Sequence, residues 1–422
     1  MFDVGRSMFD VRLTWSHDPG AKHMTAEAPA RQKAIDILIP KATACFEASF
    51  GRPHAIATYA PGRIEVLGNH TDYNEGFVLS AAIHLGTCFL LAPNQGSDSS
   101  ICAPDLDDRD DFDITSIEPG TAHPWSNYIK GMIAGLAGHN EPGHGFDAVI
   151  MSNLPIGSGL SSSAALEMAS GLAIQQLYGL KVSDLELAKI GQKAEREYAG
   201  ANTGLLDQLT SIYGRADQLV MSDFRSLDVE HIPFGDDALF LICNTGVAHA
   251  NTDGQYNVRR ENCERAAAHF EKVLDHEVKA LRDVKWEEWM AHREGLDDTS
   301  AQHAAHPIGE NERVVRGREL LHQDDLESFG ELMYASHGSS IKFFENSCPE
   351  LDFVVETSRH IPGILGARLS GGGFGGSALL LAHPRDSETI AHAMAQAFEK
   401  EFGRPCETLA TTASDGARVL AS

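Results

Sequence analysis

Residues 147–179 contain the pattern that most constrains the fold: an apolar strand, a glycine turn and a long helix. The strand DAVIMSNL leads into PIGSGL, where Gly157 and Gly159 allow a tight turn, and SSSAALEMASGLAIQQLYG then has helical character. The first turn of a helix leaves backbone N–H groups free, which suits an anion such as phosphate. The alternative is a serine helix cap. A cap needs one serine and three follow here, so we favour phosphate binding.

This loop differs from two common phosphate-binding sequences. No GK[ST] follows its glycines, which excludes a Walker loop, and the third glycine of the dinucleotide fingerprint is replaced. The hydroxyls of Ser161, Ser162 and Ser163 instead offer hydrogen-bond donors or a metal ligand.

A second glycine-rich loop lies far along the chain, in LSGGGFGGSALL. Five of the six residues from Gly371 to Gly376 are glycine, between the predicted strands ILGARLS and ALLLAHP. Such glycine density costs chain entropy, so either close strand packing or a ligand must require the open backbone. Two loops of this kind in distant parts of one chain predict that both meet at one site.

A third loop, in GRIEVLGNHTDYNEG at 62–76, is crowded with short polar side chains. Asn69, His70, Thr71 and Asp72 stand between the apolar stretch ending at Leu67 and the apolar stretch FVLSAAIHLG. A turn needs only a glycine, an asparagine or an aspartate. The additional hydrogen-bonding groups indicate that this loop faces a ligand.

Two acids are candidates for chemistry in QKAEREYAGANTGLLDQLTSIYG. Glu195 lies on a predicted helix, and Asp207 follows Gly204 and two leucines at the start of the next helical pattern. An isolated acid at a helix start is often an N-cap. The functional alternative is a rigidly held carboxylate base for proton removal.

Length and charge limit the class of protein. A chain of 422 residues predicts two domains, and a net charge of −26 argues against binding to nucleic acid or to an anionic membrane. Seven scattered cysteines without a CxxC pair fit reduced thiols in the cytosol. The N-terminal stretch carries charges where a signal peptide needs an apolar core, and no apolar stretch is long enough to span a bilayer, so we expect a cytoplasmic protein.

Strands and helices occur in blocks rather than in strict alternation, which predicts an α+β fold. We expect a poorly ordered extension over 1–30, an N-terminal domain over 31–220 and a C-terminal domain over 221–422. The acidic segment DLDDRDDFDI at 105–114 is interpreted as a solvated edge strand, because it lacks the glycine and closing glutamate of a calcium loop. His303 and His306 have a metal-like spacing, but a solvent-exposed segment is favoured.

Taken together, these segments resemble the galactokinase branch of the GHMP sugar and metabolite kinases. APGRIEVLGNHTDYNEGFVL, PIGSGLSSSAALEMA and ARLSGGGFGGSALLL are similar to its first, second and third motifs, and GLLDQLTSIYG, SDFRSL, YNVRRENCERA and SCPELDFVV match galactokinase segments in order. The resemblance extends from about residue 31 to the C-terminus. It implies a two-domain GHMP kinase fold with mixed β-sheets, layered helices and an active site in the cleft between domains.

The resemblance also implies an activity, the ATP-dependent phosphorylation of the anomeric hydroxyl of galactose, with sugar and ATP as partners of a monomer or weak homo-oligomer. Asp207 would be the base, and Arg63 would stabilise charge; a purely structural arginine paired with an acid is the alternative for Arg63. The implied contacts are Asn69, His70, Thr71, Asp72, Gly204 and Tyr256 for the sugar; Gly157, Ser158, Gly159, Leu160, Ser161, Ser162 and Ser163 for ATP; and Ser163 and Glu195 for Mg²⁺.

Asn69 departs from the family motif, which has glutamate there. As the resemblance implies, that glutamate reaches the hydroxyl on carbon 6 of galactose. A carboxylate only accepts hydrogen bonds, whereas the shorter amide of Asn69 both donates and accepts, and it tolerates a carboxylate or a missing carbon at that position. Galactose is favoured, with galacturonate, arabinose and N-acetylgalactosamine as alternatives. A non-catalytic galactose and ATP sensor is a further alternative, against which the retained Arg63 and Asp207 argue.

Overall fold

The computed structural model describes residues 29–139, 143–155, 158–201, 203–247 and 252–420. The predicted extension over 1–30 lies almost entirely outside these ranges. Within them, the strands are β1 Ile56–Leu67, β2 Phe77–Pro93, β3 Asp98–Ala103, β4 Asp108–Asp113, β5 Phe146–Ser152, β6 Gln218–Asp223, β7 Val229–Pro233, β8 Leu239–Asn244, β9 Ile364–Ser370, β10 Ser377–Ala382, β11 Glu407–Thr411 and β12 Arg418–Val419.

The described strands form two mixed or antiparallel sheets, as the α+β prediction requires. The first has the order β12-β1-β2-β5-β3-β4, with β6 paired to the other end of β2 and β7 paired to β6. Only the β3–β5 pairing is parallel among the described strands of this sheet. The second sheet has the order β11-β8-β10-β9 and is antiparallel throughout its described part.

The helices are α1 Pro29–Phe50, α2 Ser126–Ala137, α3 Ser162–Leu177, α4 Asp184–Ala194, α5 Leu206–Tyr213, α6 Thr252–Val273, α7 Trp286–His292, α8 Asp298–His322, α9 Leu326–Ser339, α10 Pro349–Ser358 and α11 Ser387–Phe402. Helix α1 packs on one face of the first sheet, and α2 to α5 pack around the other. Because both faces are covered, β1 and β2 are apolar and buried over most of their length. None of the described helices combines the length and apolar character needed to span a bilayer.

Two irregularities in the pairing of β1 with β2 bear on the site. The register shifts between Pro61 and Arg63 and again between Glu65 and Leu67. Such bulges redirect side chains and are frequent beside active sites. Arg63 and Glu65 lie two residues apart between these shifts, so both point to one face of the strand.

The prediction for His303 and His306 was wrong. Both lie on α8 and are buried, because α6 and α9 cover this helix and the two imidazole rings pack against Phe344. No group of three or more His, Cys, Asp or Glu side chains in the described ranges is placed to hold a metal ion.

The acidic segment 105–114 contains strand β4. Strand β4 is at the outer edge of the first sheet, as predicted, although Asp110 is buried there against Lys130, 2.6 Å away.

Strand β6 spans residue 220 and pairs with β2, and β12 returns from the C-terminus to pair with β1. The boundary at residue 220 stays a prediction.

Candidate active site

A cavity of about 290 Å³ lies where the polar loop after β1 meets the five-glycine loop. The start of α5 and the side chain of Tyr256 on α6 complete its walls. Of the predicted site residues, Arg63, Asn69, His70, Asp72, Gly204, Asp207 and Tyr256 line it, together with Glu65 and Gly371, Gly372, Gly373 and Phe374. Residues from both halves of the chain therefore share one cavity.

Asp207 connects this cavity to the serine-rich loop. One carboxylate oxygen, Oδ1, lies 2.6 Å from Nη2 of Arg63, and Oδ2 accepts a hydrogen bond of 2.5 Å from Oγ of Ser161. The Asp207 side chain keeps 22% of its surface exposed, so the carboxylate can still meet a ligand. The N-cap interpretation is wrong, because Leu205 is the capping residue and no side chain caps α5.

Arg63 holds the same serine-rich loop. Its Nη1 donates to the carbonyl oxygen of Gly159 at 2.7 Å, and its backbone N–H donates to the carbonyl oxygen of Leu160 at 3.1 Å. The guanidinium therefore fixes the carboxylate of Asp207 and the adjacent backbone at the same time. This is more than a structural pairing of one arginine with one acid requires.

The phosphate loop, here Ser158–Ser163, turns into α3 with its first N–H groups uncapped. Ser161 is the N-cap residue, with a left-handed φ of 59°, but its hydroxyl is bonded to Asp207 and makes no cap hydrogen bond. Ser158 instead donates its hydroxyl to the carbonyl oxygen of Pro155. The loop has the open helix terminus that binds anions. Gly157 lies outside the described residues.

Glu195 is buried behind the phosphate loop among hydroxyl and amide donors. The hydroxyl of Thr203 and the amide of Gln208, at 3.0 Å, donate to its Oε2, and Ser163 also hydrogen-bonds to this carboxyl. Burial raises the pKa of Glu195. Carboxylate and hydroxyl oxygens are the ligands that Mg²⁺ prefers, so this set is chemically suitable for that ion.

Glu167 on α3 joins the same network, and the sequence analysis missed it. Gln208 donates to its Oε2 at 2.8 Å, and burial, with the nearby charge of Glu195, raises the pKa of Glu167 well above its usual range. Its position in the apolar helical run SSAALEMAS was the available signal, because an acid on the buried face of a helix needs a partner.

The sugar loop, here Gly68–Gly76, forms the opposite wall. His70 accepts a hydrogen bond from the hydroxyl of Tyr73 at 3.1 Å, and its Nε2 lies 3.3 Å from the carbonyl oxygen of Gly372. Burial lowers the pKa of His70 to about 3, so its ring is neutral near pH 7. The edge of the Tyr256 ring packs beside Tyr73, with 5.5 Å between ring centroids.

Asp72 and Gly204 are in close contact in the cavity wall. Burial raises the pKa of Asp72 to about 6, and the charges of Glu65 and Asp207 act in the same direction. A Cβ atom on Gly204 would lie 2.3 Å from Oδ2 of Asp72, so a larger residue there would displace this carboxylate.

Asn69 and Thr71 are occupied by contacts within the protein. Asn69 is 1% exposed, and its amide bonds to Glu65, Gly371 and Asn346 at 2.9, 2.8 and 3.1 Å. The hydroxyl of Thr71 lies 2.7 Å from the carbonyl oxygen of Gly68 and does not line the cavity. The structure thus places Thr71 inside the loop, where it braces the backbone.

Helix α8 anchors the sugar loop through Glu310. Oε2 of Glu310 accepts hydrogen bonds from the backbone N–H groups of Gly68 and Asn69 at 3.0 and 3.1 Å, while Arg313 donates to Oε1 at 2.5 Å. The positive charge of Arg313 helps to hold the pKa of this buried carboxyl far below its ordinary value, although burial alone would raise it. Local sequence carries no signal for a contact between residues so far apart in the chain.

Three family models match the chain. The model for the "Galactokinase galactose-binding signature" matches residues 44–93, "GHMP kinases N terminal domain" matches 127–215, and "GHMP kinases C terminal" matches 318–400. The first contains the sugar loop, and the second contains the phosphate loop together with Glu195 and Asp207.

Curated relatives match over nearly their whole length. The chain is 39% identical over 380 residues to the galactokinase of Haemophilus influenzae strain PittGG, covering 88% of this chain and 97% of that protein. It is 37% identical over 374 residues to the galactokinase of Roseiflexus sp. strain RS-1, covering 88% and 94%.

Solved structures show the same architecture. The galactokinase of Lactococcus lactis complexed with galactose superposes with a TM-score of 0.84 at 34% identity, covering 90% of this chain and 98% of that one. A mevalonate kinase superposes with a TM-score of 0.60 at 20% identity, covering 86% and 100%, and therefore shares the fold.

Proposed function

This chain belongs to the galactokinase family of the GHMP kinases, and from that premise we propose that it transfers the γ-phosphoryl group of ATP to the anomeric hydroxyl of galactose. The observation that supports this most directly is the position of Asp207. Its carboxylate is held by Arg63 and Ser161 at the point where the cavity meets the phosphate loop. A base at that junction touches both the acceptor and the donor of a phosphoryl group.

In the proposed reaction, Asp207 accepts the proton of the hydroxyl on carbon 1. The sugar oxygen forms a bond to the γ-phosphorus as the bond from that phosphorus to the departing ADP oxygen breaks. A carboxylate has about four lone-pair positions, and Arg63 and Ser161 use two, so acceptor capacity remains for the proton. Arg63 balances the negative charge at the reacting centre and keeps Asp207 oriented.

The remaining cavity residues are proposed to orient the sugar. Asp72 and the neutral ring of His70 offer polar contacts, Gly204 leaves room beside Asp72, and Tyr256 supplies an aromatic wall. Asn69 and Thr71 complete the sugar set in the family resemblance. In this chain their side chains hydrogen-bond to other residues, so we propose that they shape the loop.

The ATP phosphates are proposed to bind the free N–H groups at the start of α3, along Ser158–Ser163 and the preceding Gly157. Ser163 and Glu195 would hold Mg²⁺, which when bound neutralises phosphate charge. The hydroxyls of Thr203 and Ser163 beside the buried carboxyl of Glu195 support this assignment. The scattered free cysteines support a cytosolic location, and a monomer or weak homo-oligomer stays a prediction.

An ADP-release assay over galactose, N-acetylgalactosamine, galacturonate, arabinose, glucose and mannose tests the proposal. Galactose should give the highest kcat/KM. Another sugar ahead by about tenfold or more would keep the kinase class and change the substrate. Galactose binding in calorimetry without ADP release would instead support the sensor alternative.

A further inference from the structure

Glu65 is a buried acid to which the proposed mechanism assigns no role. It lies on β1 two residues after Arg63, on the same face of the strand, and is 6% exposed. It also lines the cavity that holds Arg63, Asp72 and Asp207. A carboxylate is costly to bury, so its place in this wall needs a physical reason.

The amide of Asn69 leaves little capacity for a ligand. An amide side chain has two donor hydrogens, and those of Asn69 reach Oε1 of Glu65 at 2.9 Å and the carbonyl oxygen of Gly371 at 2.8 Å. Its own oxygen accepts from Asn346 at 3.1 Å. Asn69 therefore functions as a brace that orients Glu65.

One oxygen of Glu65 remains open. Oε1 accepts from Asn69 and lies 3.2 Å from Nη1 of the fully buried Arg368. No group in the described part of the chain bonds to Oε2. This atom keeps some accessible surface, and because Glu65 lines the cavity, Oε2 is open to it. The charge of Glu65 also raises the pKa of Asp72 and Tyr256, which places all three around one space.

The strand geometry indicates which end of the sugar Glu65 meets. Two residues of a β-strand advance by about 6.7 Å, close to the length of a hexopyranose ring with its substituents. Arg63 is paired with Asp207 at the anomeric end of the proposed sugar position. Glu65 is therefore beside the part of the sugar that lies away from carbon 1, and this part includes the exocyclic hydroxymethyl arm.

We propose that Oε2 of Glu65 accepts a hydrogen bond from the hydroxyl on carbon 6 of the sugar and that this contact determines specificity. The inference rests on the proposed function and narrows its substrate to a neutral hexose. A uronate would place a second carboxylate against Glu65, and a pentose would leave Glu65 without its donor. Arg368 and Asn69 are positioning residues that hold Oε1 so that Oε2 faces the ligand.

The test compares galactose with 6-deoxygalactose, which lacks only the hydroxyl in question. The wild-type protein should favour galactose by at least about tenfold in kcat/KM, as expected for a hydrogen bond to a charged group. In Glu65→Gln this ratio should fall by about tenfold, because the charged acceptor is lost while the side-chain volume is kept. Turnover of galacturonate should become measurable in Glu65→Gln only.

Ser370→Ala is the matched control, because Ser370 contacts the backbone oxygen of Glu65 and leaves its carboxylate intact. It should keep the wild-type ratio. Equal efficiency of the wild type with both sugars, or an unchanged ratio in a folded Glu65→Gln, would overturn the inference while leaving a galactose kinase. Absence of ADP release with every sugar would instead overturn the proposed function. If Glu65→Gln does not fold, the wild-type ratio still tests the contact, because equal efficiency with the two sugars would overturn the inference.

Discussion

The sugar loop and the phosphate loop flank the same carboxylate of Asp207, but they differ in how their backbone N–H groups are bonded. In the sugar loop, Glu310 accepts two backbone N–H groups, and Asn74 donates to the carbonyl oxygen of His70 at 2.9 Å. In the phosphate loop, Ser161 leaves α3 uncapped, and apart from its chain neighbours no described atom lies within 4 Å of where a Cβ on Gly159 would be.

The difference follows from the ligands proposed for each side. A neutral sugar offers only hydroxyls, so its recognition depends on partners that the protein has already oriented. Phosphate oxygens carry the charge that an uncapped helix terminus attracts, so the donors on that side can wait for the ligand. Variants on each side should therefore fail in different ways, by loss of structure or of sugar binding on one side and by loss of ATP binding on the other.

The largest effect is expected where the two loops meet. Asp207→Asn keeps the size of the side chain and one oxygen acceptor but cannot take a proton, so kcat should fall by about 10²–10⁴-fold. Steady-state ADP release measures this, and the melting temperature should show that the variant folds. Wild-type turnover in this variant would remove Asp207 from the mechanism.

The next largest effect should come from the support of the sugar loop. Glu310→Ala removes a buried carboxylate that pairs with Arg313 and accepts two backbone N–H groups, and we expect about 3–5 kcal/mol of lost unfolding free energy. Urea denaturation measures it. A loss below about 1 kcal/mol would mean that the sugar loop holds its shape without α8.

The same helix provides a control for that variant. Arg316 and Glu319 on α8 also form an ion pair three residues apart, with both side chains about half exposed. Glu319→Ala should cost less than about 1 kcal/mol, because solvent screens the pair. Comparable losses in the two variants would show that helix propensity, and not the buried contact, sets the effect of Glu310→Ala.

Two glycine-to-alanine variants, one on each side of Asp207, should have smaller effects and compare the sugar side with the phosphate side directly. Gly204→Ala pushes a methyl group into Asp72, and overpacking of about 1–3 kcal/mol should raise the KM for galactose by about tenfold or more. Gly159→Ala meets no described atom, but it puts a methyl group where phosphate is proposed, at a left-handed φ of 74°. It should raise the KM for ATP and leave the KM for galactose unchanged. Identical kinetic defects would break the division between the loops.

The sequence made the loops predictable, because each combines glycines with polar residues between regular elements. Their meeting is confirmed by the hydrogen bond from Ser377 to the carbonyl oxygen of Ser158 and by the contact of His70 with Gly372. Glu65 was not predicted, since in RIEVL it looks like any solvent-facing strand residue. Its burial depends on Arg368, which lies 303 residues away on β9.

The error at His303 and His306 has a related cause. No Cys or acid other than Glu310 adjoins these histidines in the sequence, which indicated an exposed segment, but α6 and α9 cover α8 on two sides. Helical periodicity identifies a buried stripe and cannot show how many neighbours a helix will have. Long-range packing of this kind must be read from the three-dimensional structure.

The smallest expected effect is a pH dependence confined to the sugar side. Asp72 has a pKa of about 6 in the folded protein, raised mainly by burial from an ordinary 3.8, so the folded state binds more protons between these values. Wild-type stability therefore contains a favourable contribution below pH 4 that is lost as the pH rises to about 6.

The side chain of Asp72→Asn cannot titrate. Its unfolding free energy relative to wild type should rise by about 1–2 kcal/mol from pH 4 to pH 7, a range reduced for partial exposure. His70 is present in both proteins, so its own contribution to the pH dependence cancels from the difference. Urea denaturation of both proteins at each pH measures the difference. A flat difference would mean that Asp72 ionises in the folded protein without cost and that its surroundings on the sugar side are open to water.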